Sequence, residues 1–206
     1  MKNYRYALEI GGAYTRVFVK DEGLALCEPT LVAAEPSPEG YKVVGLGKNA
    51  KKMMGKTSDS VEVFNPMSNG KISNYEYLKE LLTYFFAKLD FKKNRDSVIL
   101  LINCGINKEE KELFMSLLFE MGFKDVVLIP TVICSCIGAG KNISSTKTNM
   151  MINIGGTSTD IAVVNMNSIV KGATLGLGGK AVDVAIANTI AYNHGIVVGL
   201  GTSEKL

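Results

Sequence analysis

The chain of 206 residues is 47% hydrophobic and 21% charged, ordinary values for a soluble globular protein of one or two domains, and they exclude a disordered chain. With 23 Lys and Arg against 20 Asp and Glu the formal net charge is +3, and the cations are scattered rather than run together, which argues against nucleic acid as a partner. No run of about 18 apolar residues is present to span a bilayer, and no small-residue cleavage site follows Met1-Lys2-Asn3-Tyr4-Arg5, so a cytoplasmic location is expected.

Tyr6-Ala7-Leu8-Glu9-Ile10 reads as a strand, Gly11-Gly12-Ala13-Tyr14 as a turn, and Thr15 to Lys20 as an alternating strand returning beside the first. An extended piece from Leu24 to Ala34 breaks at Pro36-Ser37-Pro38-Glu39-Gly40, which is loop chemistry, and a third strand runs from Tyr41 to Gly45. Asn49 to Gly55 reads as a short basic helix. Ser58 to Gly70 reads as extended, with turns at Asn65-Pro66 and Asn69-Gly70. The period then changes: Ser73 with Glu76 fits a capping box, and Leu78, Leu81, Leu82, Phe85, Phe86 and Leu89 fall on one helical face, the pattern of a core stripe.

Ser97 to Asn103 is a continuous apolar run, as expected of a strand covered on both faces in a parallel sheet. A helix from Lys108 to Met121, opened by Asn107 with Glu110, and a strand over Asp125 to Ile129 complete a βαβ unit; a second helix covers Thr131 to Gly140. Met150 to Val164 reads as two apolar strands joined by a tight glycine and hydroxyl turn, Gly155-Gly156 followed by Thr157, Ser158 and Thr159. A strand near Ser168 to Leu175, a glycine loop Gly176 to Gly179 and a helix Val182 to His194 follow. Hairpin, crossover helices and hairpin again make a duplicated α/β order. Cys27, Cys104, Cys134 and Cys136 show no C-x-x-C spacing and are expected as reduced thiols, and His194 at a helix end needs no catalytic role.

A P-loop is absent, no G-x-G-x-x-G opens a helix after a strand, and no nucleophile elbow G-x-S-x-G serves His194. What remains is a pair of glycine turns, Glu9-Ile10-Gly11-Gly12 and Asn153-Ile154-Gly155-Gly156, the second followed by three hydroxyls. Facing each other, such turns suit a polyphosphate clamp, because bare backbone and N–H and O–H donors approach an anion closely. Glycines at hairpin tips also satisfy turn geometry alone, and spacing does not separate the two readings.

Further segments carry a family resemblance. Glu9 to Thr15 with Val19-Lys20 looks like a first phosphate motif, Glu28-Pro29-Thr30 like an Asn-Glu-Pro-Ser strand, Asn65 to Ile72 like an Arg-Pro-Met-Lys-Asp-Gly-Val-Ile segment, Ile137-Gly138-Ala139-Gly140 matches in full, and Asn153 to Asp160 looks like a second phosphate motif. Together with Gly178-Gly179, Asp183 and Ile186, these resemble the MreB family of actin-like, rod-shape-determining ATPases over essentially the whole chain. The resemblance implies an α/β fold of the actin and heat-shock-chaperone ATPase type (ribonuclease H-like): a first domain over 1–145 with a small inserted subdomain at about 30–72, and the beginning of a second over 146–206. The chain is then a fragment or a naturally shortened copy.

It further implies ATP binding through Gly12, Ala13, Tyr14, Gly155, Gly156 and Thr157, with Glu204 toward the adenosine, a weak magnesium site at Glu9 through water, and a bacterial cytoskeletal role in cell shape. Partners would be copies of itself or full-length family filaments. Peripheral membrane contact is implied near Phe91, where an aromatic stands beside Lys92, Lys93 and Arg95; a solvated helix end is the alternative. The chain departs from the family pattern where Glu9 and Asn153 replace aspartates, Pro130-Thr131-Val132 replaces a Glu-Glu-Pro segment, and Lys180 replaces an Asp. A hard cation then binds more weakly, and the group that positions water is gone, which implies little hydrolysis and no catalytic residue. Two other readings stand beside it: a non-enzymatic filament cap or scaffold with a vestigial nucleotide site, and a sugar kinase of the same architecture, which lacks a visible acidic base.

Overall fold

The computed structural model describes residues 4–38, 40–55 and 60–206. β1 (Tyr6–Ile10), β2 (Tyr14–Val19) and β3 (Gly23–Pro29) form an antiparallel meander. Its strands alternate because one face is packed, with Tyr6, Leu8, Ile10, Val17 and Val19 buried. β4 (Val32–Ser37), β5 (Gly40–Leu46) and β6 (Glu62–Phe64) make a separate sheet in the order β5-β4-β6, joined by α1 (Lys48–Met53). Pro36 and Ser37, expected in a loop, instead end β4, paired with Tyr41 and Gly40. Among the described residues β6 pairs only as far as Ala34, so Pro36 lies beyond that ladder toward the strand end, a position a strand proline tolerates. Glu39 of that expected loop, and Ser58 and Asp59 of the expected extended stretch, lie outside the described residues.

β7 (Met67–Ser68) and β8 (Lys71–Ile72) are joined by Asn69-Gly70, both with positive φ (50° and 77°), as a two-residue hairpin turn requires. α2 (Tyr75–Phe86) is capped by Asn74, whose side chain accepts from the Tyr77 amide. Ser73, the expected cap, donates its hydroxyl to Asn65 O instead. Leu78, Leu81, Leu82, Phe85 and Phe86 are buried, as their spacing predicts, and Leu89 packs beyond the helix end.

β9 (Ser97–Ile102), α3 (Lys108–Glu120) and β10 (Asp125–Pro130) complete the first sheet in the order β10-β9-β1-β2-β3, with β9 parallel to both neighbours. α3 carries the full capping box of Asn107 and Glu110. α4 (Thr131–Gly138) leads to a second meander, β11 (Asn149–Ile154), β12 (Thr159–Asn165) and β13 (Ser168–Leu175), followed by α5 (Gly179–His194) and α6 (Leu200–Ser203). Val132 and Cys136 of α4 pack on Ala162, Val164 and Met151, covering one face of it.

The four cysteines are free thiols, and burial pushes those of Cys134 and Cys136 up. Among the described residues no helix is long and apolar enough to cross a membrane. Phe91, near which membrane contact is expected, is partly buried: its ring lies 4.5 Å from that of Phe123 and 5.3 Å from that of Phe86, in an aromatic cluster on the core. The hydrophobic gain of joining three rings outweighs leaving one in solvent.

Candidate functional site

The two glycine turns are built alike. In each the first glycine amide donates to the carbonyl three residues on, Gly11 to Tyr14 O at 3.0 Å and Gly155 to Ser158 O at 2.8 Å. A Cβ on Gly11 would stand 2.7 Å from Tyr14 O, and one on Gly155 3.0 Å from Ser158 O, so the closure of the turn demands these glycines. The second glycines serve another purpose. A Cβ on Gly12 would fall 1.9 Å from Thr157 Oγ1, and one on Gly156 2.6 Å from the Ala13 Cβ. The hairpins therefore touch tip to tip, and the space a side chain would need is taken by the opposite hairpin.

Several segments hold this arrangement. Asn65 Nδ2 donates to Gly12 O at 2.6 Å, which explains why the Asn65 to Ile72 stretch matters: its hairpin braces the first turn. After β9, Asn103 donates to Ser158 Oγ, the Cys104 amide to Asp160 Oδ1 and the Gly105 amide to Thr174 Oγ1, tying the first sheet to the second meander. The first amides of α5 are spent on the second turn, Gly179 to Gly155 O and Lys180 to Gly156 O, both at 2.9 Å. Gly178 lies so close that a Cβ would meet Gly155 O at 2.5 Å.

Beside the joined tips is a cavity of about 360 Å³, at the lower end of small-molecule sites (roughly 300–1,000 Å³). Gly12, Ala13, Tyr14, Gly155, Gly156 and Glu9 all line it. Thr157 stands at the tip against Gly12, and its buried hydroxyl has no hydrogen-bond partner. An orphaned buried hydroxyl costs about 1–3 kcal/mol, so this one is a polar atom whose hydrogen-bonding capacity is unspent. Glu204, just after α6, does not line the cavity.

Side chains that motif reading passed over shape the chemistry. Arg16 pairs with Glu9 at 2.9 Å; burial works against the guanidinium, and the Glu9 carboxylate more than offsets it, holding it above its ordinary value. The register of the hairpin places Glu9 opposite Arg16, as it places Asn153 opposite Asp160, so both partners follow from a four-residue turn. Asp160 is 2% exposed and accepts from Thr174 Oγ1 and the Cys104 amide. Thr131 lines the cavity but donates its hydroxyl to Ile102 O at 3.1 Å, and burial pushes the Cys104 thiol up.

The donors do not fit a divalent cation held through carboxylates either. One carboxylate is engaged by Arg16, Asn153 is neutral, Asp160 is buried in its own hydrogen bonds, and no cluster of three or more His, Cys, Asp or Glu occurs among the described residues. Cations gather at the tips instead: Lys180 Nζ donates to Gly12 O at 2.9 Å, and Lys51 Nζ to Tyr14 Oη at 3.0 Å.

A family model described as MreB/Mbl protein matches residues 3–206. The chain belongs to the MreB/Mbl family. It is 29% identical over 169 residues to the cell shape-determining protein MreB of Pasteurella multocida, covering 80% of this chain and 48% of that protein. To the cell shape-determining protein Mbl of Bacillus cereus it is 32% identical over 169 residues, covering 81% and 50%. The crystal structure of MreB5 of Spiroplasma citri bound to ADP superposes with a TM-score of 0.89 at 28% identity, over 97% of this chain and 60% of that one. The same protein bound to AMPPNP gives 0.89 at 27%, over 99% and 62%. The fold is thus the actin-like MreB fold, and the chain spans about half the length of the MreB and Mbl relatives it matches.

Proposed function

We propose that this chain is a cytoskeletal module of cell-shape determination that binds ATP or ADP at the paired glycine turns, hydrolyses ATP slowly, and acts in the cytoplasm through contacts with copies of itself or longer family filaments. The observation that carries the reading is the pair of matching turns beside a polar cavity, with the Thr157 hydroxyl left without a partner. Gly12, Ala13, Tyr14, Gly155, Gly156 and Thr157 would hold the phosphates, and the relatives of known structure were crystallised with ADP and AMPPNP. The division into a first domain over 1–145 and the start of a second over 146–206 belongs to the same reading. Glu204 is proposed for the adenosine because its charge reaches Lys51 and Lys180 at the tips.

Slow hydrolysis follows from the side chains. Water needs a group that orients it and takes its proton, which contributes about 10²- to 10⁴-fold in rate. Thr131 spends its hydroxyl on Ile102 O, and Glu9 is paired with Arg16. The test is nucleotide titration followed by turnover. ATP is expected to bind better than inorganic phosphate, and Thr131→Glu with Asn153→Asp to raise turnover by about 10-fold or more. An ATP affinity no better than that of phosphate would overturn the binding claim and leave the second reading, a filament cap or scaffold whose touching turns no longer admit a nucleotide.

A further inference from the structure

Lys180 is an exposed residue beside the point where the two hairpins meet, and it begins on the side of the second. Its backbone amide is bound to Gly156 O, while its Nζ crosses to Gly12 O on the first hairpin. Among the described residues the ammonium has no carboxylate within ion-pair distance; a neutral carbonyl is its acceptor. Desolvation pushes the ammonium below its ordinary value, Glu204 opposes that and Lys51 adds to it. The ammonium's one protein acceptor here is a neutral carbonyl, so its charge stays available to an anion that shares its place.

We propose that Lys180 supplies at this site the positive charge for which its donors cannot hold a divalent cation, so that a nucleoside di- or triphosphate binds across the two hairpins without magnesium. The inference rests on the nucleotide reading above and deepens it. Three observations point the same way. Arg16 neutralises Glu9, Asn153 carries no charge, and Lys51 stands beside Tyr14, so the cations at this junction outnumber the carboxylates left free to recruit a metal. Thr157 Oγ1, buried and without a partner, offers a neutral donor at the same junction. Lys180 is also placed to report occupancy: a phosphate that takes its ammonium leaves Gly12 O to the Asn65 side chain and unties the start of α5 from the first hairpin.

The experiment is titration of fluorescent ADP and ATP analogues into the full chain, in magnesium and in EDTA, for the wild type, Lys180→Met, Lys180→Arg and Lys180→Asp, each checked for folding by circular dichroism. The wild-type affinity is expected to change by less than about threefold on chelation, since no carboxylate-held metal contributes. Lys180→Met should lose about 10- to 100-fold in both conditions, as a charge-assisted contact is worth roughly that. Lys180→Arg should retain binding, and Lys180→Asp should bind only with magnesium. Wild-type binding that disappears in EDTA, or a folded Lys180→Met that binds as well as wild type, overturns the role of Lys180 while leaving nucleotide binding standing. Absence of binding by every form in both conditions overturns both.

Discussion

The two meanders share a topology, a turn and an internal hydrogen bond, yet they live in different surroundings. β1 is flanked by β2 and β9, and Leu8 and Leu100 are fully buried beneath α2 and α3. β11 pairs only with β12 among the described residues, and alternate side chains stand in solvent: Met150 is 65% exposed, Ile152 53% and Ile154 72%. Strand-forming residues are the same in kind on both sides. What differs is whether a second layer covers them, and α4 covers only one face of the second sheet. Matching local codes therefore produce matching turns but unequal burial, and the candidate cleft lies on the seam between the covered half and the more exposed one.

Three substitutions probe that inequality. Leu100→Ala should cost about 2–5 kcal/mol in urea unfolding, because it opens a cavity in the covered sheet; a cost under about 1 kcal/mol would erase the contrast. Glu28→Gln comes next. Glu28 sits nearly buried at the edge of the first sheet and accepts from Lys88 Nζ and the Lys48 amide. Burial alone would raise its carboxyl, but these two donors outweigh that and hold it below the ordinary range. Its stabilisation is thus complete above the unfolded carboxylate value of about 4.3 and is lost as pH falls through the lower folded value. Glu28→Gln should cost about 1–3 kcal/mol at neutral pH, with the gap to wild type closing under acid titration. The smallest effect is expected at Ile152→Ala, within about 0.5 kcal/mol. A loss above 2 kcal/mol there would mean that the exposed face is covered in solution.

Much of the fold could be read in advance because its signals are local. The apolar run of β9, the α2 stripe and the Asn107 capping box each depend on neighbours within a few residues. Ser73 misled because Asn74, one residue on, offers a better cap, and only the packing of α2 chooses between them. Pro36 misled because a strand end beyond the β6 ladder accepts a proline that a strand interior rejects. In the site, the turn glycines were legible as glycines but not in their two distinct duties, since the contact of Gly12 with Thr157 joins residues far apart in sequence. The Glu9 and Arg16 pair was within reach of register reasoning. The bond from Lys180 to Gly12, spanning 168 positions, was not.

The bonding of α5 to the second turn has a mechanical side. Since Gly179 and Lys180 donate their amides to Gly155 and Gly156, helix and turn form one stiff body. A helix of 16 residues is about 24 Å long. Tilting such a rod by ~10° about its start displaces the far end by about 4 Å. A tilt of that size at the turn would therefore carry His194 and Gly195 through a distance as wide as a side chain.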